Sequence, residues 1–371
     1  MTNGLHDYIE NYLDDLKARR LYRNLETQDR DLINFSSNDY LCLSCNSDSI
    51  AAGSEAAKLY GSGCTGSRLL SGNMEIFEKF EERISGDKNF TSALIFNSGF
   101  IANSSVISAF CAPETILIFD KLNHASMYHG VSATAKLARY KHLNYNELED
   151  ILKKHDSIRN KIIASETVFG MDGDMADLNI LSYLSQKYGA ILFLDEAHAT
   201  GLYGKNGYGL STNCKFDPEL TVVMGTFSKA LASSGAYVAG SRLLKEYFIN
   251  KSKGFVYSTA LSPFCLGVAL YNWNLLPQLG ETRNHLMELS NKFRRNICKL
   301  GHKTIGSDSN IISIVFDNLD EMLRTSGKFL KNRVLASAIR PPTSPTPRIR
   351  LAVNAAHQEQ SFNVVMEALQ K

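Results

Sequence analysis

The 371-residue sequence predicts an α/β protein in which a large domain with a mainly parallel sheet is followed by a smaller α+β domain. Between about residues 50 and 245, apolar runs that end in polar residues alternate with helical patterns, which is typical of parallel strands buried on both faces. After about residue 280, helices are mixed with shorter strands. The chain is also longer than a single core usually allows, so more than one domain is expected.

Residues 1–45 are predicted to form an amphipathic helix and an arm, with a short strand and turn in "LINFSSNDYLCLS" (32–44). The large domain is expected at 46–265, and Asn144 is a suitable cap for its second predicted helix. The elements predicted there are helices at 99–110 and 144–155 and the strands "SALIFN" (92–97), "TILIFD" (115–120), "KIIASETVF" (161–169), "AILFLDEAH" (190–198) and "LTVVMGTF" (220–227).

The small domain is expected at 266–371. The loop "RPPTSPTPR" (340–348) carries four of the eight prolines and should be stiff and extended, because each proline fixes φ and disfavours helix in the preceding residue. The predicted elements are helices at 283–300, about 319–330 and the C-terminal end, with strands at 310–316, 333–339 and 348–353.

The composition is that of an ordinary globular protein, with 44% hydrophobic residues, 21% charged residues and a net charge of +2. This charge gives no argument for nucleic-acid or membrane partners, and no apolar run reaches the roughly 20 residues of a spanning helix. Because the N-terminal stretch lacks the apolar core of a signal peptide and the seven cysteines are scattered, we expect reduced thiols in a cytoplasmic protein. The pair in "CLSC" has no second pair to complete a metal site, so no metal is predicted.

Polar residues follow three of the predicted strands. Asp195 follows one apolar run, Thr226 and Lys229 follow another, and "NSGF" (97–100) lies where a strand turns into a helix. In open α/β sheets, ligands bind beyond the carboxyl ends of the strands. We therefore expect these three strand ends to form one site.

Such a set of residues suits pyridoxal phosphate. The aldehyde of this cofactor needs a lysine amine for a Schiff base, and its pyridine nitrogen needs a carboxylate. Its phosphate needs the N–H groups of a helix N-terminus. Singly, a loop lysine is usually solvated and a strand-end aspartate usually forms a turn or cap. Together, Asp195 and Lys229, 34 positions apart and among small residues, predict the cofactor.

A remote alternative is a DEAH-type helicase, because "LDEAH" contains the letters of a Walker B motif and "GSGCTGSR" (61–68) is spaced like a P-loop. A P-loop requires a lysine after its second glycine to reach the nucleotide phosphates. Here Ser67 and Arg68 follow Gly66, and "GK" is nowhere followed by Ser or Thr. The charge balance also offers no basic surface for a nucleic-acid backbone.

The chain resembles the α-oxoamine synthases, pyridoxal-phosphate enzymes that join an amino acid to an acyl thioester with loss of CO2. The resemblance runs nearly end to end, through "NFSSNDYLCLS", "GSGCTGSRLLSGN", "NSGFIAN", "DKLNHAS", "MDGD", "LDEAHATGLYG", "TFSKALASSGAYVAG", "YSTALSP" and "IRPPTSPTPRIRL". It implies the transferase fold type I of pyridoxal-phosphate enzymes, which is aspartate aminotransferase-like.

Within this family, "SSNDYLCLS" and "AIRPPTSP" are most similar to the members that serve biotin biosynthesis. The resemblance then implies condensation of L-alanine with a pimeloyl thioester carried by coenzyme A (CoA) or by an acyl carrier protein. The alternative within the family is 2-amino-3-ketobutyrate CoA ligase, which uses glycine and acetyl-CoA.

The same resemblance assigns four catalytic residues. Lys229 would form the Schiff base, and Asp195 would pair with the pyridine nitrogen. His198 would hydrogen-bond the phenolic oxygen of the ring, and His124, in "NHAS", would stack on the ring face.

The remaining assignments concern the phosphate and the substrates. Gly99 and Phe100 would offer backbone N–H groups to the phosphate, and Thr226 would add a hydroxyl. Thr259 would reach the phosphate of a neighbouring subunit, which implies an obligate homodimer with its active site at the subunit interface. The predicted substrate residues are Arg350 for the amino acid carboxylate, Arg23 and Thr343 along the acyl path, Asn38 beside the substrate, and His124.

One position departs from the family pattern. The biotin enzymes usually carry a serine before "MDGD", and its hydroxyl helps to hold the cofactor. Here the residue is Gly170, which has no side chain to donate. We expect weaker cofactor binding, by about 1 kcal/mol for one hydrogen bond, and expect that Gly170→Ser restores it.

Overall fold

A computed structural model of the protein describes residues 4–25, 27, 29–305, 308–341 and 343–370. The predicted N-terminal arm and small domain therefore each include a few residues outside this description. The strands are β1 (Ile33–Asn34), β2 (Ser92–Phe96), β3 (Thr115–Asp120), β4 (Lys136–Tyr140), β5 (Asn160–Glu166), β6 (Ile191–Asp195), β7 (Thr221–Thr226), β8 (Ala236–Gly240), β9 (Lys303–Thr304), β10 (Ile311–Val315), β11 (Val334–Leu335), β12 (Ser337–Ile339) and β13 (Arg348–Ala352).

The helices alternate with the strands in the first two thirds of the chain, as the sequence predicts. They are α1 (Gly4–Ala18), α2 (Ser47–Tyr60), α3 (Glu75–Lys88), α4 (Gly99–Phe110), α5 (Ala125–His129), α6 (Tyr145–Lys154), α7 (Leu178–Tyr188), α8 (Arg242–Lys251), α9 (Lys253–Val256), α10 (Pro263–Leu275), α11 (Gly280–Lys299), α12 (Leu319–Lys331) and α13 (Glu359–Gln370).

The large sheet has seven strands in the order β2-β8-β7-β6-β5-β3-β4. The strands β7, β6, β5, β3 and β4 are mutually parallel, whereas β8 is antiparallel to both β7 and β2. Strand β2 therefore points the same way as β7. The carboxyl ends of six strands meet at one edge of the sheet, which is where a site is expected.

The central strands are buried on both faces, as their continuous apolar runs predict. Leu117 and Phe119 of β3 pack on one side of the sheet with residues of α4. Ile116 and Ile118 pack on the other side with residues of α6 and α7. Helix α6 begins after Asn144, whose side chain accepts the N–H of Glu147, so the predicted cap is present.

The final third of the chain forms a four-stranded antiparallel sheet in the order β12-β13-β10-β9. The single strand predicted at 333–339 is wrong in one respect, because it divides into two. Val334 and Leu335 pair with β1 of the N-terminal segment, and the residues from Ser337 onward pair with β13. Alternating apolar residues cannot show that a strand changes partners. The domain bounds 1–45, 46–265 and 266–371 remain predictions.

The strand predicted at 161–169 ends earlier, at Glu166, because residues 168–175 turn back on themselves. Phe169 donates its N–H to the carbonyl of Asp174, and Gly173 donates to the carbonyl of Phe169. We call residues 168–175 the MDGD hairpin. No helix among the described residues is long and apolar enough to cross a membrane, and all seven cysteines are free.

Candidate active site

The structure brings the three predicted strand ends together at the common edge of the sheet. Asp195 is the last residue of β6, and Lys229 lies in the turn that joins β7 to the antiparallel β8. Gly99 opens α4 after β2, and a Cβ on it would lie 3.6 Å from Cβ of Thr226. The lysine, the carboxylate and the helix N-terminus therefore face one space.

A chain of hydrogen bonds links the predicted lysine to the predicted carboxylate-binding arginine. Lys229 Nζ lies 2.7 Å from His198 Nε2, and His198 Nδ1 lies 2.7 Å from the hydroxyl of Tyr40. Tyr40 donates to Asn38 Oδ1 at 2.9 Å, and Arg350 Nη2 donates to the same oxygen at 3.0 Å. Tyr40 was not among the residues chosen from the sequence, although "SSNDYLCLS" contains it.

Burial and the charges around this series of hydrogen bonds favour a reactive lysine. Burial, aided by the charge of Lys229, lowers the pKa of His198 well below its usual value, so its ring is neutral. Burial also lowers the pKa of Lys229 to about 8, although Asp195 and Glu166 act in the opposite direction. Since Tyr40 donates to an amide oxygen, His198 carries its proton on Nδ1 and accepts from Lys229 through Nε2. An amine with this pKa is neutral and nucleophilic in a sizeable fraction at neutral pH.

Asp195 is buried, with 4% of its surface exposed, and two donors orient its carboxylate. Asn103 Nδ2 of α4 donates to Oδ2 at 2.7 Å, and the N–H of Ala197 donates to Oδ1 at 2.8 Å. Asn103 Nδ2 also lies 2.8 Å from Ser126 Oγ. A fixed, buried carboxylate is suited to hold a proton on a ring nitrogen.

A second buried carboxyl group, Glu166, lies beside Asp195. The two residues are register partners at the ends of β5 and β6, and Glu166 is 5% exposed. Burial and then the charge of Asp195 raise the pKa of Glu166 to about 8. Its Oε2 accepts the N–H of Gly170 at 3.1 Å. Sequence reasoning missed this residue, although it ends an apolar run as Asp195 does.

The phosphate end of the predicted site is polar and open. Ser98 caps α4 by accepting the N–H of Ile101, which leaves the first-turn N–H groups of Gly99 and Phe100 available. Thr226 Oγ1 lies 2.7 Å from Ser228 Oγ. These N–H groups and hydroxyls are suited to bind a phosphate.

Thr259 is exposed close to this end of the site, and its carbonyl accepts a hydrogen bond from Asn97 Nδ2 at 2.5 Å. Ser67 pairs with Thr259 in an isolated bridge. Its predicted contact with another subunit's phosphate stays a prediction.

His124 caps the short helix α5, and its Nδ1 lies 2.7 Å from Ser126 Oγ. Partial burial lowers its pKa, while Asp195 raises it and Lys229 lowers it. His124 therefore belongs to the same electrostatic group as these two residues, and its predicted stacking role stays a prediction.

Gly170 has a role that its lack of a side chain does not suggest. A Cβ at this position would lie 2.2 Å from His198 Nε2, so the imidazole occupies the space of a side chain. The carbonyl of Gly170 accepts from Arg350 Nε at 2.6 Å. The expectation that serine here simply adds a cofactor contact is therefore revised: any larger residue must first displace His198.

The predicted substrate residues fall into two groups. Arg350 and Asn38 belong to the hydrogen-bond chain of Lys229. Arg23 and Thr343 are exposed and lie on two segments that Arg340 connects, since Arg340 donates to the carbonyl next to Arg23 and accepts the N–H of Thr343. Among the described residues, no hydrogen bond joins Arg23 or Thr343 to Lys229, so their place on the acyl path stays a prediction.

The "DEAH" letters have a structural explanation. Glu196 is fully buried and pairs with Lys88 Nζ, and it also accepts the N–H of Ser211 at 2.6 Å. This carboxylate joins α3 to the loop after β6. It is not available to activate a water molecule beside a nucleotide, as a helicase requires.

Known proteins resemble the chain over nearly its whole length. The family model of class I and II aminotransferases matches residues 30–369. An 8-amino-7-oxononanoate synthase of Gluconacetobacter diazotrophicus is 38% identical over 385 aligned residues, covering 98% of this chain and 96% of that protein. The solved 8-amino-7-oxononanoate synthase of Francisella tularensis is 26% identical, with a TM-score of 0.79 and coverage of 92% and 98%. A Sphingomonas wittichii serine palmitoyltransferase shares the fold, with 23% identity, a TM-score of 0.89 and coverage of 99% and 96%.

The chain therefore belongs to the class I and II aminotransferase family, whose fold and cofactor are those predicted from the sequence. Within this family it groups with the α-oxoamine synthases, and it is similar to 8-amino-7-oxononanoate synthases over almost its whole length. The predictions of fold class and of pyridoxal phosphate are confirmed. The residues at the strand ends fit that cofactor, because they supply a lysine of lowered pKa, an oriented buried carboxylate and a helix N-terminus with adjacent hydroxyls.

Proposed function

We propose that the chain condenses L-alanine with a pimeloyl thioester, on CoA or an acyl carrier protein, to give 8-amino-7-oxononanoate, CO2 and the free thiol in biotin biosynthesis. The observation that carries this proposal is the continuous hydrogen-bond chain from Lys229 through His198 to Arg350. It supports the proposal because an amine of lowered pKa lies at one end and a guanidinium that could bind a carboxylate lies at the other, as an amino acid substrate requires. The names of relatives that span nearly the whole chain support the choice of substrates.

Lys229 is the proposed nucleophile and proton carrier. When bound, pyridoxal phosphate supplies the electron sink that stabilises negative charge at the alanine Cα. Lys229 Nζ would hold the cofactor aldehyde, and as a neutral amine it would take the proton from the alanine Cα. His198 orients Nζ through its 2.7 Å contact, and Tyr40 holds the His198 tautomer that leaves Nε2 as the acceptor.

Asp195 and His124 complete the proposed cofactor contacts. Asp195 would keep a proton on the ring nitrogen, because a positive charge there would offset the cost of burying its carboxylate. His124 would stack on the ring face. Gly99 and Phe100 would bind the phosphate through their N–H groups, and Thr226 would bind it through its hydroxyl.

Arg350 is the proposed partner of the alanine carboxylate. Nε donates to the carbonyl of Gly170, and Nη2 donates to Asn38 and to Tyr40, so the plane of the guanidinium is fixed. These contacts use Nε and Nη2, so the N–H groups of Nη1 are proposed to donate to the carboxylate in a charge-assisted contact. Arg23 and Thr343 are proposed to line the path of the acyl chain.

We propose a cytoplasmic homodimer with the active site at the subunit interface. Large apolar side chains are exposed near Thr259, with Leu70 at 85% and Tyr257 at 81% exposure. The bridge between Ser67 and Thr259 keeps these two segments together. Burial of such side chains against a second copy would bring Thr259 towards the cofactor phosphate in the active site of that copy.

The proposal is tested by measuring thiol release with a matrix of amino acids and acyl thioesters. L-alanine with pimeloyl-CoA or with a pimeloyl carrier protein is expected to give the highest kcat/KM. If glycine with acetyl-CoA gives the higher value, the 2-amino-3-ketobutyrate CoA ligase reaction replaces it. Borohydride reduction followed by peptide mapping tests the lysine independently, since the cofactor should become fixed to Lys229.

A further inference from the structure

His142 is a partly buried residue for which the reaction proposed above has no use. It follows β4, and its two ring nitrogens contact carboxylates from two different segments. Nδ1 lies 2.9 Å from Asp120 Oδ1, and Nε2 lies 2.6 Å from Asp174 Oδ2. With an acceptor at each nitrogen, the ring donates twice and is therefore the charged imidazolium. Burial acts to lower the pKa of His142, but the two carboxylates outweigh it and raise the pKa to about 9.

The first contact belongs to the segment that carries His124. Asp120 ends β3 and is fully buried. Its carboxylate also accepts the N–H groups of Leu122 and Leu143, so it fixes the start of the segment that leads to His124. Through Asp120, His142 thus helps to fix the segment that carries His124.

The second contact belongs to the MDGD hairpin. The ring of His142 meets Phe169 edge to face at 4.4 Å, in addition to its contact with Asp174. On the other side of this hairpin, Gly170 lies against His198 and accepts from Arg350. A shift of the hairpin would therefore directly affect two residues of the proposed site, His198 and Arg350.

The hairpin is also joined to the antiparallel sheet. Asp172 forms a buried ion pair with Arg348 of β13, and Ser313 of β10 donates to the carbonyl of Met171 at 2.5 Å. His142 is the link on the opposite side, towards β3 and β4. Without it, the MDGD hairpin would keep its contacts to the antiparallel sheet and its link through Glu166, which has backbone hydrogen bonds to Gly170 and His124, but it would lose its charged connection to Asp120.

We propose that His142 is a positioning residue, which as an imidazolium bridge sets the spacing between the His124 segment and the MDGD hairpin. This inference rests on the active site proposed above. It predicts that loss of the bridge weakens cofactor and alanine binding more than it slows turnover, because Lys229 and Asp195 lie outside the two segments that the bridge joins.

The test compares His142→Gln with His285→Gln, a matched control on the exposed side of α11. Equilibrium binding of pyridoxal phosphate to the cofactor-free protein is the first readout, and KM and kcat for alanine are the second. Loss of one charged bridge should weaken cofactor binding about tenfold and raise KM by a similar factor, with kcat within about twofold. His285→Gln should match the wild type.

The pH dependence distinguishes this role from a general loss of stability. The charged groups that face His142 are Asp120 and Asp174. Burial raises the pKa of Tyr145 to about 12 and that of Tyr140 well above its usual value, so both phenols stay neutral. Because the wild-type bridge loses its proton near pH 9, the binding ratio of wild type to His142→Gln should fall towards one between pH 7.5 and about 10. Titration of Lys229 affects both proteins and cancels in this ratio.

Asp174→Asn provides a second variant, which removes one charge and keeps an acceptor oxygen. Its loss of cofactor affinity should be smaller than that of His142→Gln and should depend on pH in the same way. Unchanged cofactor affinity in a folded His142→Gln or Asp174→Asn protein overturns the inference. So does a binding ratio that does not change with pH. Because cofactor binding needs no acyl substrate, these outcomes are separate from any failure of the proposed reaction.

Discussion

Replacing Glu166 by glutamine tests the electrostatics beneath the proposed cofactor site. A glutamine keeps an oxygen that can accept the N–H of Gly170, and it removes the charge that would otherwise form beside Asp195. The pKa of Glu166 is raised from 4.5 to about 8, so the folded protein holds this proton where the unfolded chain releases it. Wild-type stability should therefore fall as pH rises from about 4.5 through about 8, and the glutamine variant is spared this loss.

The size of the effect follows from the same pKa change. The free energy of unfolding can fall by about 1.4 kcal/mol for each pH unit between 4.5 and about 8, so the largest possible loss is roughly 5 kcal/mol. We expect about 2 kcal/mol, because relaxation around a buried carboxylate and water entry reduce such costs. The stability advantage of Glu166→Gln should grow between pH 5 and pH 8.5 and then level off.

The assay is urea unfolding of the cofactor-free protein at pH 5, 7 and 8.5, for the wild type, Glu166→Gln and the control Glu82→Gln. Glu82 is exposed on α3, so its substitution should have the same small effect at every pH. A Glu166→Gln difference that is constant across this range would refute the reasoning, since it would mean that Glu166 is ionised throughout. A wild type that gains stability relative to the variant above pH 8 would refute it as well.

Four further predictions concern the proposed site. The rate at which the cofactor-free protein captures pyridoxal phosphate should rise as pH increases through about 8, because only neutral Lys229 attacks, and a rate flat from pH 6 to 9 would contradict this. Asp195→Asn should leave the melting temperature nearly unchanged and reduce kcat at least 100-fold, since an amide cannot hold the ring proton; near-normal turnover would make Asp195 structural. Arg350→Lys should raise KM for alanine about 10-fold or more while borohydride still fixes the cofactor, because lysine lacks the planar fork; an unchanged KM would place the carboxylate elsewhere. Gly170→Ser should weaken cofactor binding, as measured by equilibrium titration, because its Cβ displaces His198, and tighter binding would restore the sequence-based expectation.

Much of the site could be predicted from short stretches of sequence. A run such as "AILFL" is apolar throughout because both faces of its strand are covered, and it ends where the chain leaves the sheet. The residue at that point, Asp195, therefore reaches the ligand edge whatever the neighbouring strands are. The same reasoning placed Lys229 after β7 and Gly99 at the start of α4. Their individual roles remain predictions that the experiments above address.

Residues that act through distant partners could not be found in this way. Tyr40 contacts His198 across the fold, and nothing in its local sequence indicates a hydroxyl partner of a histidine. His142 follows an edge strand that was not recognised from the sequence, and its two carboxylates come from separate segments. Glu166 lies beside Asp195 because β5 pairs with β6, and a local stretch of sequence does not show which strands are neighbours.

The sequence alone determined the fold class, the cofactor and the edge of the sheet where the site lies, because burial patterns and turn residues act within a few positions of one another. The tertiary structure alone decided the order of the strands and the reversal of β8. It also decided that His198 fills the space left by the missing side chain of Gly170. The physical reason is that charge pairing, pKa and steric fit depend on distances between residues far apart in the chain. Those distances are set only when the sheet is assembled and both of its faces are packed.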